Sequence, residues 1–450
     1  MTLPPKPESR PAKVSLWRYA RLFRQDILSA QPARLYRAWM AEFKTPFFRS
    51  YLINQPDLIQ TVLKTRPDEY PKSDRIGEGL RPLLGNSVFL TNGAIWKRQR
   101  RIIDPAFEGG RLRETFPAIW DAAEAAAARL SPHDGAPLEV EAQTSHAAAD
   151  VIFRTLFSIP IEHHMAREVF DEFKTYQRSQ PILNIAAFVP LPRWLPRLFR
   201  RDTKRSAAKI RQLITALTTE RMEAIKAGTA PDDLATKIMT TPDPEDGSTF
   251  TTGEMVDQVA IFFLAGHETS ASALAWAMYL VATHPDWQDR LAEEAQAIDQ
   301  CDFAVMGKLK QSRDVFREAL RLYPPVPMMV REASCPATFR DRTVARGAQV
   351  VISPWHLHRH ERLWDNPDGF DPARWHSENG KKCQREAYLP FSAGARVCPG
   401  AGFAMVEGPL ILSRILRDYR IEVVGEKPPV PVAHLTVRSK DGILLRFVRR

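Results

Sequence analysis

A mainly helical protein with small β-sheets is what this 450-residue sequence predicts, and three observations carry the prediction. Most long segments repeat apolar residues at three- and four-residue intervals, the spacing of one helix face. One of them, "TTGEMVDQVAIFFLAGHETSASALAWAMYLVATHP" (251–285), is apolar on nearly all sides and belongs in the middle of a protein. The strand-like pieces are short: "FFRSYLINQ" (47–55), "TVARGAQVVIS" (343–353) and "GILLRFV" (442–448).

Composition fits a soluble globular chain whose 44% hydrophobic content supplies a core. The opening residues carry prolines and charges where an export signal needs an apolar stretch, so the expected compartment is the cytoplasm. The apolar run "VAIFFLAG" (259–266) meets His267 and Glu268 at once, while a membrane span needs about 20 mostly apolar residues; no transmembrane helix is expected. Four cysteines, at 301, 335, 383 and 398, show no CxxC spacing and suit a reducing compartment. The charge of +10 (63 Lys+Arg against 53 Asp+Glu) is spread in short clusters such as "WKRQRR" (96–101) and "RRDTKR" (200–205). With no long basic tail or finger motif, nucleic acid is not expected as a partner.

The central helix opens with a capping box, Thr251 to Glu254, and stops before Pro285. Its apolar wall breaks at "AGHETS" (265–270). Gly266 costs about 1 kcal/mol against Ala in a helix, and a buried Glu268 is costly unless paired. A zinc-protease reading of His267 and Glu268 fails because Ala271 stands where the second histidine is needed. What remains is a notch flanked by a carboxyl and the Thr269 hydroxyl, suited to holding a small polar molecule and passing it protons; a kinked core helix with a back-bonded threonine is the plain alternative. In "EALR" (318–321), Glu318 and Arg321 share a helix face and can pair, which on its own is a common surface motif. "HLHRH" (356–360) alternates three histidines in a pattern that could imitate a metal cluster.

"FSAGARVCPG" (391–400) is the most informative stretch. Helical spacing resumes after it, so Cys398 precedes a helix N-terminus, where N–H groups favour a thiolate. Gly394 and Gly400 let the backbone turn tightly and approach a flat ligand. Arg396 is a fixed cation two residues before the sulfur, fit to bind a carboxylate or phosphate. A lone cysteine cannot close a zinc site, yet one thiolate suffices for haem iron, whose in-plane ligands come from the porphyrin.

These residues resemble the haem-binding signature of the cytochrome P450 superfamily, in Phe391, Gly394, Arg396, Cys398 and Gly400. "AGHETS" is similar to the family's oxygen-activation segment, "EALR" to its Glu-x-x-Arg motif, "FDPARW" (370–375) to the segment whose arginine is here Arg374, and "WKRQR" (96–100) to its Trp-x-x-x-Arg helix.

The resemblance implies the P450 fold of soluble bacterial type, with haem b sandwiched between the long helix and the cysteine loop. It implies one catalytic domain over 1–450, with 1–40 an N-terminal extension and first helix. Glu318, Arg321 and Arg374 are then a buried structural network. Cys398 is the axial ligand, and Trp96, Arg100, Arg331 and Arg396 hold the haem propionates. Gly266 makes room for dioxygen, Thr269 hydrogen-bonds it once activated, and Glu268 relays protons. The implied reaction is monooxygenation, by hydroxylation or epoxidation; the alternatives are a peroxide-driven peroxygenase and a non-catalytic haem-thiolate binder or gas sensor. "GEGLRP" (77–82) has Pro82 where a nucleotide loop needs glycine, and the chain has no room for a fused reductase after the cysteine segment. Electrons from NAD(P)H are therefore expected through a ferredoxin or flavodoxin and its reductase, docking at Lys97, Arg98 and Arg101. By family position Phe263, Leu264, Ala265, Val326, Met328 and Leu435 face a small hydrophobic substrate, and the proline-rich segment 181–199, with Phe188 and Trp194, is either a mobile lid or a packed loop. The protein is expected to be a monomer.

Overall fold

The computed structural model describes residues 3–45, 48–179, 201–433 and 435–450. Four helices carry most of the chemistry: α1 (Gly93–Ile103), α2 (Thr252–Ala282), α3 (Lys310–Leu322) and α4 (Ala401–Asp418). Six strands matter for it: β1 (Met40–Lys44), β2 (Arg49–Ile53), β3 (Met329–Glu332), β4 (Gln349–Ile352), β5 (Pro431–Ala433) and β6 (Val437–Ser439). The chain divides into two compact units, one of Met1–Pro71, Ala123–Ala147 and Glu268–Arg450, the other of Lys72–Ala122 and Ala148–His267.

In the first unit a four-stranded sheet runs in the order β1-β2-β4-β3. β2 pairs antiparallel with β1 and parallel with β4, and β4 pairs antiparallel with β3, placing Arg331 opposite Val350. Val350 and Ile352 enter a core with Tyr51, Ile53, Val62, Leu63, Trp364, Trp375, Cys383 and Leu389, against which Ala393 packs. Cys383 is thus a core residue, and burial pushes its thiol up to about 11. β5 and β6 form a separate hairpin in which Val437 faces Ala433, and Leu444–Arg449 is the middle strand between Pro137–Glu139 and Tyr419–Val423.

The stretch 343–353, read as one strand, is two. Arg342–Val344 closes a hairpin with Ala337–Phe339, and β4 begins only after Gly347 turns the chain at φ +80°. That conformation suits glycine and ends the first strand.

α3 ends at Leu322 because Pro324 and Pro325 follow and cannot continue it. It packs closely against α4, where a Cβ on Gly408 would come 2.2 Å from the Phe316 ring.

In the second unit the capping box at the start of α2 is formed: Thr251 N–H donates to Glu254 Oε2 (2.9 Å) and Glu254 N–H to Thr251 Oγ1 (3.3 Å). Further along, Phe263 is surrounded by Phe153, Phe157 and Phe173, with ring centroids at 4.5, 6.4 and 6.0 Å. α2 ends where its periodicity stops, and Pro285 opens the next helix, Pro285–Gln296, from its first position.

Candidate haem-thiolate site

The 391–400 loop is closed by its own backbone. Cys398 N–H donates to Phe391 O (2.9 Å), Val397 N–H to Gly394 O (3.1 Å) and Ala401 N–H to Cys398 O (3.3 Å), so the sulfur stands just ahead of α4. Gly394 sits at φ +69°, and a Cβ there would come 2.0 Å from Leu63 O; the position has both a conformational and a steric demand for glycine. Gly400 differs. Its Cβ would meet nothing but Cys398 Sγ, at 3.9 Å, so the protein itself does not require the missing side chain there.

Arg331 on β3 is buried, and both burial and the charge of Arg396 push it down to about 10. Each guanidinium is a group that carboxylates bind through charge-assisted hydrogen bonds, and an anion near Arg331 would offset the effect of Arg396 on it.

Behind the loop, Glu318 on α3 is fully buried. Arg321 Nε and Nη2 bond its two oxygens at 2.9 and 2.7 Å, Arg374 Nε bonds Oε1 at 2.9 Å, and Asp371 N–H reaches Oε1 at 3.0 Å. Burial alone would raise the Glu318 carboxyl, but the two arginines and the Asp371 N–H outweigh it and hold it below the usual range. The remaining donors of Arg321 go to the carbonyls of His358 (2.9 Å) and Gly369 (2.8 Å), and those of Arg374 to Asp365 (2.6 Å) and Asn366 (3.0 Å). The network ties α3 to the chain that leads into the cysteine loop.

The histidines of 356–360 turn to separate partners. His356 Nδ1 meets Ser353 Oγ (2.8 Å), His358 Nε2 accepts Leu389 N–H (2.8 Å), and His360 stacks on Trp39. Among the described residues no group of three or more His, Cys, Asp or Glu side chains is placed to hold a metal ion.

On α2, Glu268 is buried and Thr269 half-buried. The Glu268 carboxylate meets Thr436 Oγ1 at 3.4 Å and Arg438 Nη2 at 3.8 Å, from the hairpin 431–439. Ser270 donates to Glu407 Oε1 of α4, and burial pushes the Glu407 carboxyl up to about 7. Thr436, Arg438 and Glu407 escaped the sequence reading. The Glu268–Thr436 contact spans 168 positions, and no local spacing announces it.

In the second unit Trp96 is buried on α1, and Arg100 Nε pairs with Asp104 Oδ1 at 2.7 Å. A Cβ on Gly266 would come 2.4 Å from Ile152 Cδ1, so a larger residue here would have to displace that side chain. Phe263 and Leu264, expected to face substrate, are buried, and Phe263 belongs to the phenylalanine cluster. Ala265 is exposed, as are Val326 and Leu435 in the first unit, and Met328 is half-buried. Of the cations expected to meet an acidic partner, Arg98 and Arg101 have partners within their own unit. Arg98 binds Glu254 (2.8 Å), Ser248 (3.0 Å) and Thr249 O (2.9 Å), and Arg101 binds Asp243 (2.6 Å) and Glu245 (2.8 Å). Lys97 is exposed. The segment 181–199, with Phe188 and Trp194, lies outside the described residues.

A family model described as Cytochrome P450 matches residues 36–446, and the chain belongs to that family. It is 33% identical over 387 residues to cyclooctat-9-en-7-ol 5-monooxygenase of Streptomyces melanosporofaciens, covering 84% of this chain and 81% of that one. Cyclooctatin synthase of the same organism is 31% identical over 404 residues (87% and 84%), and human cytochrome P450 4A11 is 30% identical over 418 residues (88% and 78%). The solved heme domain of cytochrome P450DA superposes with a TM-score of 0.81 at 22% identity, covering 100% of this chain and 97% of that one, a likeness of fold. Among the described residues no helix is long and apolar enough to cross a membrane.

Membership implies haem, and the residues fit it. Cys398 is exposed, Gly400 leaves the space beside its sulfur clear, and Arg331 and Arg396 are cations that propionates could bind.

Proposed function

We propose that this chain is a haem-thiolate monooxygenase that oxidises a small hydrophobic molecule by hydroxylation or epoxidation. The observation that carries this reading is the Cys398 loop, closed by its own backbone just ahead of α4 with Gly394 held at φ +69° against Leu63 O. Bound through Cys398, haem supplies dioxygen activation, placing one oxygen atom in the substrate and the other in water.

The chain's own residues do the rest. Arg331 and Arg396 anchor the cofactor's carboxylates. Thr269, one residue from the buried Glu268, offers a hydroxyl to hold dioxygen and pass it a proton, and Glu268 feeds that hydroxyl. In the first unit Val326, Met328 and Leu435 are apolar and retain exposure, which supports a hydrophobic substrate. Electrons come from a separate carrier, a ferredoxin or flavodoxin reduced at the expense of NAD(P)H, and the cations of α1, exposed Lys97 with Arg98 and Arg101, are assigned to meet it.

The test is the reduced carbon-monoxide complex. Thiolate ligation gives a strongly red-shifted Soret band that Cys398→His abolishes; a histidine-type band in the unaltered protein would overturn the assignment.

A further inference from the structure

Glu268, Ser272 and Trp276 stand four residues apart on α2 and share one helix face. All three meet β6 or the residue before it. Ser272 Oγ and Trp276 Nε1 both donate to Val437 O, the second at 3.3 Å. Thr436 and Arg438, two apart and so on one side of the strand, both turn to the Glu268 carboxylate. Thr436 Oγ1 lies 3.4 Å from Oε2, and Arg438 Nη2 lies 3.8 Å from Oε1. Arg438 Nε also donates to Thr436 Oγ1 at 3.4 Å, so each of the three side chains meets the other two.

The set has a direction. The Glu268 side chain is 5% exposed and the Arg438 side chain 39%, so it leads from the interior to water. A carboxylate withdrawn from water stays ionised only with a counter-charge and hydrogen bonds to hold it. Arg438 provides the charge and Thr436 the bond. The same guanidinium also acts on Glu141, whose Oε1 accepts Ser439 N–H at 2.8 Å and which is raised by burial and by Glu139 while Ser439 and Arg438 lower it.

From this geometry we infer that Arg438 is a positioning residue: with Thr436 it fixes the Glu268 carboxylate and forms the solvent end of the route by which a proton from bulk water reaches Glu268. The inference rests on the oxygenase reading of Glu268 and Thr269. A hydronium ion or buffer acid in bulk solvent gives its proton through water to a Glu268 oxygen, Glu268 passes one on toward Thr269, and the water or buffer base left behind stays in solvent.

The test uses the full-length haem-loaded protein with Arg438→Gln and Arg438→Lys. Infrared pH titration, with the Glu268 carboxyl band assigned by its loss in Glu268→Gln, reads the carboxylate without turnover. Arg438→Gln is expected to move that titration up by at least one pH unit and Arg438→Lys to restore most of it. With a surrogate ferredoxin and its reductase, the solvent isotope effect on NADPH oxidation is expected to rise about twofold in Arg438→Gln and return in Arg438→Lys. An unchanged Glu268 titration and isotope effect in Arg438→Gln overturn the inference. Should Arg438→Gln not fold, Thr436→Val, which removes one hydroxyl, must shift the same band or the inference falls. The reduced carbon-monoxide spectrum separates the two readings: with a thiolate band present, a negative result removes only the role of Arg438, whereas its absence overturns the oxygenase reading and the infrared result still decides what holds Glu268.

Discussion

Arg374 Nε and Arg321 Nη2 converge on one oxygen, Glu318 Oε1, at 2.9 and 2.7 Å, although the two arginines come from separate parts of the chain. A single carboxylate therefore balances two buried cations.

Glu318→Gln leaves both guanidinium groups without a counter-charge. Breaking a buried pair from one side costs about 3–5 kcal/mol. The variant is expected to melt well below the unaltered protein and to accumulate largely without haem. Calorimetry together with the ratio of Soret to protein absorbance checks this, and normal haem content would contradict it.

Gly394→Ala meets two obstacles, φ +69° and a Cβ 2.0 Å from Leu63 O. The loop must shift to admit it, so the thiolate-type carbon-monoxide band is expected to be largely lost. Gly400→Ala meets no protein atom but the sulfur; it is expected to fold normally and to weaken haem retention alone. Unfolding midpoints and haem off-rates distinguish the two.

Glu407 makes stability depend on pH in a definite direction. The unfolded chain loses this proton near the usual carboxyl value, whereas the folded chain keeps it until about 7. Between those values the folded state binds more protons, so stability falls as pH rises and levels off above 7. A displacement of this size corresponds to about 3 kcal/mol. Glu407→Gln is expected to gain stability relative to the unaltered protein from pH 5 to pH 8. Denaturant titrations at both ends check it, and a difference independent of pH would refute it.

Arg98→Glu sets a like charge against Glu254 and removes donors from Ser248 and Thr249 O. For this partly exposed pair the expected loss is about 1 kcal/mol, with little change in the salt dependence of reduction by ferredoxin. Lys97→Glu, at an exposed position, is expected to slow reduction severalfold at low salt and less at high salt. Stopped-flow reduction at two ionic strengths separates the variants.

What could be read in advance follows how local each feature is. The Cys398 loop was legible because Gly394, Arg396 and Gly400 act within ten residues. Glu318 and Arg321 were legible as a pair, but their burial depends on carbonyls from 358–369, which helical spacing does not encode. The apolar wall of α2 hid which side stays accessible: when every face is hydrophobic, periodicity cannot rank Phe263, which is core, against Ala265, which is exposed. The run 343–353 read as one strand because β-branched residues stand at both ends, and the turn at Gly347 outweighed them. Thr436 and Arg438 were beyond reach, since long-range pairing alone brings them to Glu268.

The hairpin that grips Glu268 also carries Leu435, exposed and adjacent in the chain to Thr436. One short turn of chain therefore carries both an exposed apolar side chain and, through Thr436 and Val437 O, the contacts made by Glu268, Ser272 and Trp276.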